Sequence, residues 1–201
     1  MITKTYLRSL LRAVVLLFLT MLLFSCLQPG AGPREEFPEH RNRPRLNITE
    51  LEKRIHALIN KERKKHGLSA LAWDGRLSNI ARAHSRDMAK RNYFSHDSPE
   101  GWGFSERYKK AGFTCAVREG NRVYLGAENI FQNNLYDRVV ITDGKKSFDW
   151  NTLEKIAQST VQGWMNSPGH RKNILTPQLL SEGIGVAVST DDKVYITQNF
   201  C

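Results

Sequence analysis

Three segments of the chain place apolar residues at the three-to-four-residue spacing of an amphipathic helix. The first, TELEKRIHALINKERKKHG (residues 49–67), opens with a capping-box pattern at Thr49 and Glu52 and closes at a glycine, where helices commonly stop. The second begins after Asp74, and the third is NTLEKIAQSTVQGWMN (151–166). Each of these helices is therefore predicted to bury one face.

Alternating apolar positions mark the strands. GIGVAV (183–188) and KVYITQNF (193–200) alternate over a short acidic turn, and VVITDGKKSFDW (139–150) has the Asp-Gly pair of a hairpin turn. We interpret this hairpin as a surface insertion. Because helices dominate the first part and strands the last, the pattern predicts an α+β fold with helices packed on a mainly antiparallel sheet.

Residues 1–25 have the pattern of an export signal, in which three basic residues precede twelve apolar ones, AVVLLFLTMLLF. This run is shorter than the ~20 residues of a membrane-spanning helix. It ends at Ser25-Cys26, which resembles a bacterial lipobox with Cys26 as the lipidated residue, although Phe24 is atypical. The alternative is a signal without lipidation. Either way the protein is expected outside the cytoplasm, secreted or anchored to the membrane.

Residues 26–46 are predicted to be a flexible tether, because prolines, glycines and charged residues leave almost nothing apolar to bury. The folded domain is then expected to span residues 47–201. The formal net charge of the chain is +10, with the basic residues scattered. No nucleic-acid-binding motif or phosphate loop accompanies them, so a nucleic-acid role is not expected, whereas attraction to anionic headgroups is physically reasonable.

Export changes how the two remaining cysteines are interpreted. Outside a reducing cytosol, Cys115 and Cys201 are an even number and can form one disulfide, which would hold the last residue of the chain. The alternative is that one of them is a catalytic nucleophile with a histidine as its base.

Two histidines lie at positions that a fold can fix. In WMNSPGHRKNIL (164–175), proline favours the first turn of a new helix, so His170 lies at a helix junction with Arg171 beside it. His84 lies on the apolar side of the second helix. For His84, a hydrogen-bonded core residue and a ligand are the two interpretations.

Four ordered motifs, YFSHDSPEG (93–101), GAENI (126–130), WMNSPGHRKNIL (164–175) and EGIGVAVSTDDKVYITQNF (182–200), together resemble the CAP superfamily. This superfamily comprises the SCP or PR-1-like domains of cysteine-rich secretory proteins, antigen 5 and pathogenesis-related 1 proteins. The resemblance implies an α-β-α sandwich with a large cleft, where two histidines and two glutamates hold a divalent metal, usually zinc. By motif, three of the four correspond to His96, Glu128 and His170, whereas the second glutamate is replaced by Ser167.

Losing one glutamate removes either a metal ligand or the base that would activate a water molecule. We therefore expect His96, Glu128 and His170 to hold zinc or another divalent metal weakly, or to form a polar hydrogen-bonded cluster that orders the loops around the cleft. Asn129 is expected to fix a loop by hydrogen bonding, and Ser167 and Arg171 to lie at the cleft.

Two functions, and a third weaker one, follow from this interpretation. The favoured one is an extracytoplasmic binding module, tethered to the membrane, whose cleft takes a lipid, peptide or cell-envelope ligand. The second is a metal-dependent hydrolase or protease with Glu128 as the candidate catalytic base. The third is a purely structural envelope protein.

Overall fold

The computed structural model describes residues 43–201, which belong to a compact unit spanning Asn42–Cys201. The predicted export signal, the lipidation site Cys26 and the tether as far as residue 42 lie outside the described residues. Within residues 43–201, no helix is long and apolar enough to cross a bilayer.

Five helices and eight strands make up residues 43–201. The helices are α1 (Ile48–Lys65), α2 (Gly75–Arg91), α3 (Phe104–Lys110), α4 (Leu153–Asn166) and α5 (Pro168–Ile174). The strands are β1 (Ala72–Trp73), β2 (Val117–Glu119), β3 (Arg122–Tyr124), β4 (Ala127–Asn134), β5 (Tyr136–Thr142), β6 (Lys145–Trp150), β7 (Ser181–Val188) and β8 (Lys193–Phe200). The three long helices and the strands predicted from periodicity are confirmed.

The start of α1 differs from the predicted capping box. The side chain of Asn47 caps the helix by accepting a hydrogen bond from the backbone N–H of Glu50 at 3.2 Å. Glu52 is buried, and its carboxylate pairs with Arg82 (2.5 Å) and accepts from the N–H of Val186 (3.2 Å). The capping-box prediction was wrong because this carboxylate points into the domain, where a cation and a strand N–H need a partner.

The central sheet has the strand order β1-β7-β8-β4. Strand β1 is parallel to β7, whereas the β7–β8 and β8–β4 pairs are antiparallel, so the predicted mainly antiparallel sheet is confirmed. The β5–β6 hairpin is confirmed as well, and its turn residues Asp143 and Gly144 have φ angles of 51° and 73°. Positive φ at both central positions is typical of a tight hairpin turn.

Helices cover both faces of this sheet. Alternate residues of β7 and β8, such as Ile184 and Ile196, join the core with α1 and α4. On the opposite face, α2 lies directly on β7: a Cβ added at Gly185 would be 2.0 Å from the backbone nitrogen of Arg82. The described chain is thus an α-β-α sandwich, as the resemblance implied.

A disulfide joins Cys115 to Cys201 with a Cα–Cα distance of 5.5 Å. The predicted pairing is therefore confirmed. Both sulfurs are used in this bond, which leaves neither cysteine as a free thiol for the nucleophile alternative.

The compact unit begins before residue 47. Leu46 packs against the main core. The guanidinium of Arg43 donates to the carbonyl of Ser189 (3.0 Å) and pairs with Asp192 (2.6 Å). Residues 43–46, which the sequence assigned to the tether, thus contact the domain.

Candidate functional site

The loop after α2 and strand β4 bring His96 and Glu128 together. The Nδ1 of His96 lies 3.0 Å from Oε1 of Glu128. The imidazole is half exposed, whereas the carboxylate is buried. An ionised carboxylate accepts hydrogen bonds only, so Nδ1 of His96 carries the proton that it donates to Glu128, and Nε2 is left with a lone pair when the ring is neutral.

Arg107 of α3 compensates the charge of Glu128. Its Nη2 lies 2.6 Å from Oε2 of Glu128, and its Nη1 donates to the carbonyls of His96 (2.9 Å) and Trp102 (2.6 Å). One guanidinium therefore holds both the carboxylate and the loop that carries His96. Sequence reasoning missed Arg107, because a single cation in a short helix has no diagnostic spacing.

Asn199 of β8 supplies a further contact to Glu128. In the amide orientation that satisfies both its partners, Asn199 donates to Oε2 of Glu128 (3.1 Å) and accepts from the N–H of Ala81 (3.3 Å). Both oxygens of the carboxylate are then engaged by donors. Donors from His96, Arg107 and Asn199 thus fix the orientation of the carboxylate.

His170 lies at the start of α5, as the Pro-Gly junction predicted. Its ring centroid is 6.3 Å from that of His96. Burial lowers the pKa of His170, and the charge of His96 lowers it further. The neutral form of His170 is therefore favoured at neutral pH.

Asn129 fixes the position of α5 relative to the sheet. It is fully buried in strand β4, where the sequence had suggested a loop, and it donates to the carbonyls of His170 (3.2 Å) and of the Gln198 side chain (2.9 Å). Asn173 donates in turn to Oδ1 of Asn129 (2.9 Å). Gln198 donates onward to the buried Glu182. Buried amides satisfied on all sides hold the site rigidly.

Two cavities flank the loop that carries His96. One, of about 590 Å³, is lined by His96, Glu128, Asn173, Phe104 and neighbouring loop residues. The other, of about 710 Å³, lies along one face of α2 and includes Trp102 and Arg107. The predicted cleft residues Ser167 and Arg171 line neither of these two cavities, and Arg171 is exposed.

His84 is buried, and its Nε2 lies 3.1 Å from the carbonyl oxygen of Ser95. Burial lowers the pKa of His84, which favours the neutral ring. These observations support the interpretation as a hydrogen-bonded core residue. Its ring also lines the larger cavity.

The side chains at the site do not form a three-ligand metal centre. Within residues 43–201, no three His, Cys, Asp or Glu side chains are arranged so that they could hold one metal ion. A catalytic zinc site normally has three protein ligands. Because Glu128 pairs with Arg107, the residues present do not fit such a centre. Only the imidazoles of His96 and His170 are then left as candidate ligands at the site.

Comparisons with known proteins agree with the motifs. A model of the cysteine-rich secretory protein family, CAP, matches residues 56–200. Two proteins of Bacillus subtilis (strain 168) are similar: the uncharacterized membrane protein YlbC, 35% identical over 153 residues, and the uncharacterized protein YkwD, 33% identical over 143 residues. The matches cover 76% and 71% of this chain but only 34% and 45% of those proteins.

A solved structure shows the same fold. It is an extracellular protein containing an SCP domain from Bacillus anthracis str. Ames, with 31% identity and a TM-score of 0.55 over 76% of this chain and 40% of that one. An outer surface protein from Borrelia burgdorferi has the same TM-score of 0.55 at 18% identity, over 77% of this chain and 94% of that one. The chain described here belongs to the cysteine-rich secretory protein (CAP) family, in a bacterial form.

Proposed function

We propose that this protein is an extracytoplasmic binding module, tethered to the membrane, that presents the cleft around His96 and His170 to a lipid, peptide or cell-envelope ligand. The apolar run in residues 13–24 and the relatives described as membrane and extracellular proteins support the location. The cavity of about 590 Å³ beside His96 has the size of a small-ligand site.

The observation that carries this proposal is the engagement of Glu128. A general base needs a free lone pair within reach of the proton that it abstracts. Here Arg107, His96 and Asn199 donate to the carboxylate and use three of its roughly four acceptor positions, and Ser167 stands where a second carboxylate would be. The site is therefore built to hold its donors in fixed positions rather than to activate water.

The recognition surface has a rigid part and an accessible part. Arg107 fixes the loop backbone at His96, and Asn129 fixes the backbone at His170. The half-exposed ring of His96 remains accessible to a ligand. The imidazole of His96 lies at the edge of the cavity of about 590 Å³, where it can serve as an oriented hydrogen-bond donor or acceptor for a polar ligand group, and the ring of His170 lies beside it at 6.3 Å.

The test is ligand-dependent stabilisation of residues 42–201. A ligand that binds only the folded state raises its stability. We expect fractions of envelope lipids or peptides to raise the unfolding temperature of the parent and of His66→Ala, which changes an exposed histidine outside the site. His96→Ala and His170→Ala should abolish the shift. If every fraction shifts all four proteins alike, or none shifts the parent, the proposal is wrong.

A second candidate function is a metal-dependent hydrolase or protease. The lowered pKa of His170 and the ring separation of 6.3 Å favour it, because two neighbouring imidazoles can share a divalent ion such as zinc weakly and exchangeably. Calorimetric titration with zinc tests it directly. Binding that is lost in both His96→Ala and His170→Ala, together with zinc-dependent hydrolysis that is lost in Glu128→Gln, would favour the hydrolase over the binding module.

A further inference from the structure

The β5–β6 hairpin is an amphipathic ribbon. Val139 lies opposite Phe148 in the register, and Ile141, two residues further on, shares their face. Towards the base of the ribbon, the rings of Tyr136, Phe148 and Trp150 contact one another, with Phe148 and Trp150 stacked at 5.0 Å. These five residues form one side, which we term the apolar face, and Lys146 lies on the same side, opposite Ile141 near the turn. The opposite face is mostly polar and includes the Arg138–Asp149 ion pair.

The distal half of the apolar face is uncovered. The side chain of Ile141 is 66% exposed and that of Val139 is 39% exposed. In the described part of the chain, no other helix or strand packs extensively against the ribbon. A two-stranded hairpin is marginally stable without a covering layer, and exposed apolar surface on a soluble domain commonly marks an interaction site.

The base of the ribbon lies where the N-terminal segment joins the domain. The carbonyl of Asp192 accepts from the N–H of Leu135, the residue before β5, at 2.7 Å, and the carboxylate of Asp192 holds Arg43 at 2.6 Å. Sixteen residues separate Cys26 from Arg43. A chain of that length spans at most about 55 Å when fully extended. An anchor at the N-terminal segment would therefore keep the ribbon close to a bilayer.

Basic residues accompany the ribbon at this end of the domain. Arg45 and Arg86 line a cavity of about 820 Å³ together with Leu135, and within residues 43–201 neither guanidinium makes an ion pair. At the opposite end of the ribbon, Lys145 follows the hairpin turn. Such groups attract anionic headgroups.

We propose that the apolar face of the β5–β6 ribbon docks onto the anionic lipid surface of the membrane to which the chain is tethered. Val139 and Ile141 enter the boundary between headgroups and acyl chains, the aromatic residues lie at headgroup level, and the basic residues contact phosphates. The inference rests on the proposed extracytoplasmic tethering. It assigns a second surface, separate from the cleft at His96, that orients the cleft relative to the membrane.

Vesicle sedimentation tests the proposal. Residues 42–201, which have their own core and disulfide, are mixed with vesicles of phosphatidylglycerol and phosphatidylcholine, or of phosphatidylcholine alone. We expect binding to the anionic vesicles and a loss of roughly tenfold or more in Ile141→Asp. Leu125→Asp is the matched control, because Leu125 is equally exposed, at 62%, and lies outside the ribbon. This control should bind like the parent.

Three results would overturn the proposal: no binding of the parent to anionic vesicles, equal binding of Ile141→Asp and the parent, or an equal loss in Leu125→Asp. A parent that dimerises through the ribbon without binding vesicles would instead identify the apolar face as a contact between copies. Ile141→Asp should keep the ligand response of the cleft, whereas His170→Ala should keep vesicle binding. Failure of the docking surface is thereby distinguished from failure of the proposed cleft function.

Discussion

Gly185 of β7 tests how closely α2 lies on the sheet. In Gly185→Ala, the added Cβ would be 2.0 Å from the nitrogen of Arg82, 2.3 Å from the carbonyl carbon of Ala81 and 2.5 Å from the Cα of Arg82. All three atoms belong to the helix backbone, so no side-chain rotation relieves the contact. The helix would have to move by roughly 1.4 Å to restore ordinary van der Waals separation of ~3.4 Å.

The expected cost lies at the upper end of the overpacking range. Inserting a methyl group into a packed core costs about 1 to 3 kcal/mol, and more when the backbone must shift. The entropic gain of replacing glycine in the unfolded chain returns only ~0.4 to 1 kcal/mol. We therefore expect Gly185→Ala to lower the free energy of unfolding by about 3 kcal/mol or more.

Urea unfolding followed by circular dichroism measures this change. Gly75→Ala is the control, because Gly75 is the first residue of α2 and a Cβ there meets nothing within 4 Å. The control should equal or slightly exceed the parent in stability, since alanine favours the helix. A free energy of unfolding for Gly185→Ala within about 1 kcal/mol of the parent would refute the reasoning, because overpacking of this degree cannot cost so little.

Three further predictions concern charge, protonation and the disulfide. Arg107→Met should lower the free energy of unfolding by about 3 to 5 kcal/mol, because it leaves the buried carboxylate of Glu128 without its cation; a denaturant titration that finds less than about 1 kcal/mol would contradict this role. Burial lowers the pKa of His84 in the folded state, so protons bind preferentially to the unfolded state below the ordinary histidine pKa of about 6.5. The unfolding temperature should therefore fall as the pH is lowered from about 7.5 to about 5.5. Thermal unfolding across that range should show a smaller fall for His84→Gln. The double variant Cys115→Ser, Cys201→Ser removes a crosslink between residues 86 positions apart and should lower the free energy of unfolding by about 2 to 5 kcal/mol. The reduced parent should have the same stability as this variant. Equal stability of the oxidised and reduced parent would show that the crosslink contributes nothing.

Much of the fold could be predicted because its periodicities are local. The helical stripe from residue 77 to 88 and the alternation in β7 and β8 depend only on which face is buried, and the structure confirms both. Motif order brought His96, Glu128 and His170 to one place. Arg107 could not be found in this way, since its role depends on a tertiary approach to Glu128 that leaves no spacing in the sequence.

Other features were present in the sequence but ambiguous. Gly183 and Gly185 in an otherwise apolar strand indicate a close backbone approach, yet the same pattern also suits a bulge. Glu52 occupied a capping-box position, and only its ion pair with Arg82 in the folded domain shows its actual role. Asn129 followed Glu128 in what looked like a loop, because an asparagine beside a charged residue is rarely a fully buried strand position.

The close packing of α2 on β7 satisfies the edge of the sheet and also helps to position Glu128 in the site. Beyond residue 182, the outer edge of β7 has no strand partner in the described chain, and side chains of helices satisfy it: Ser78 donates to the carbonyl of Ile184 (2.6 Å) and Glu52 accepts from the N–H of Val186 (3.2 Å). Ser85 of α2 also donates to the carbonyl of Gly185 (2.9 Å). These hydroxyls reach the strand only because α2 lies on glycines.

The helix so placed brings the N–H of Ala81 to Asn199, and Asn199 donates to Glu128. A change that lifts α2 therefore removes edge hydrogen bonds and a donor to Glu128 together. Loss of this single neutral donor leaves the contact with Arg107 in place but loosens the orientation of the carboxylate. We therefore expect Gly185→Ala protein that remains folded at low temperature to lose the ligand-dependent rise in unfolding temperature as well as stability. A destabilising change elsewhere in the core would lower the stability alone.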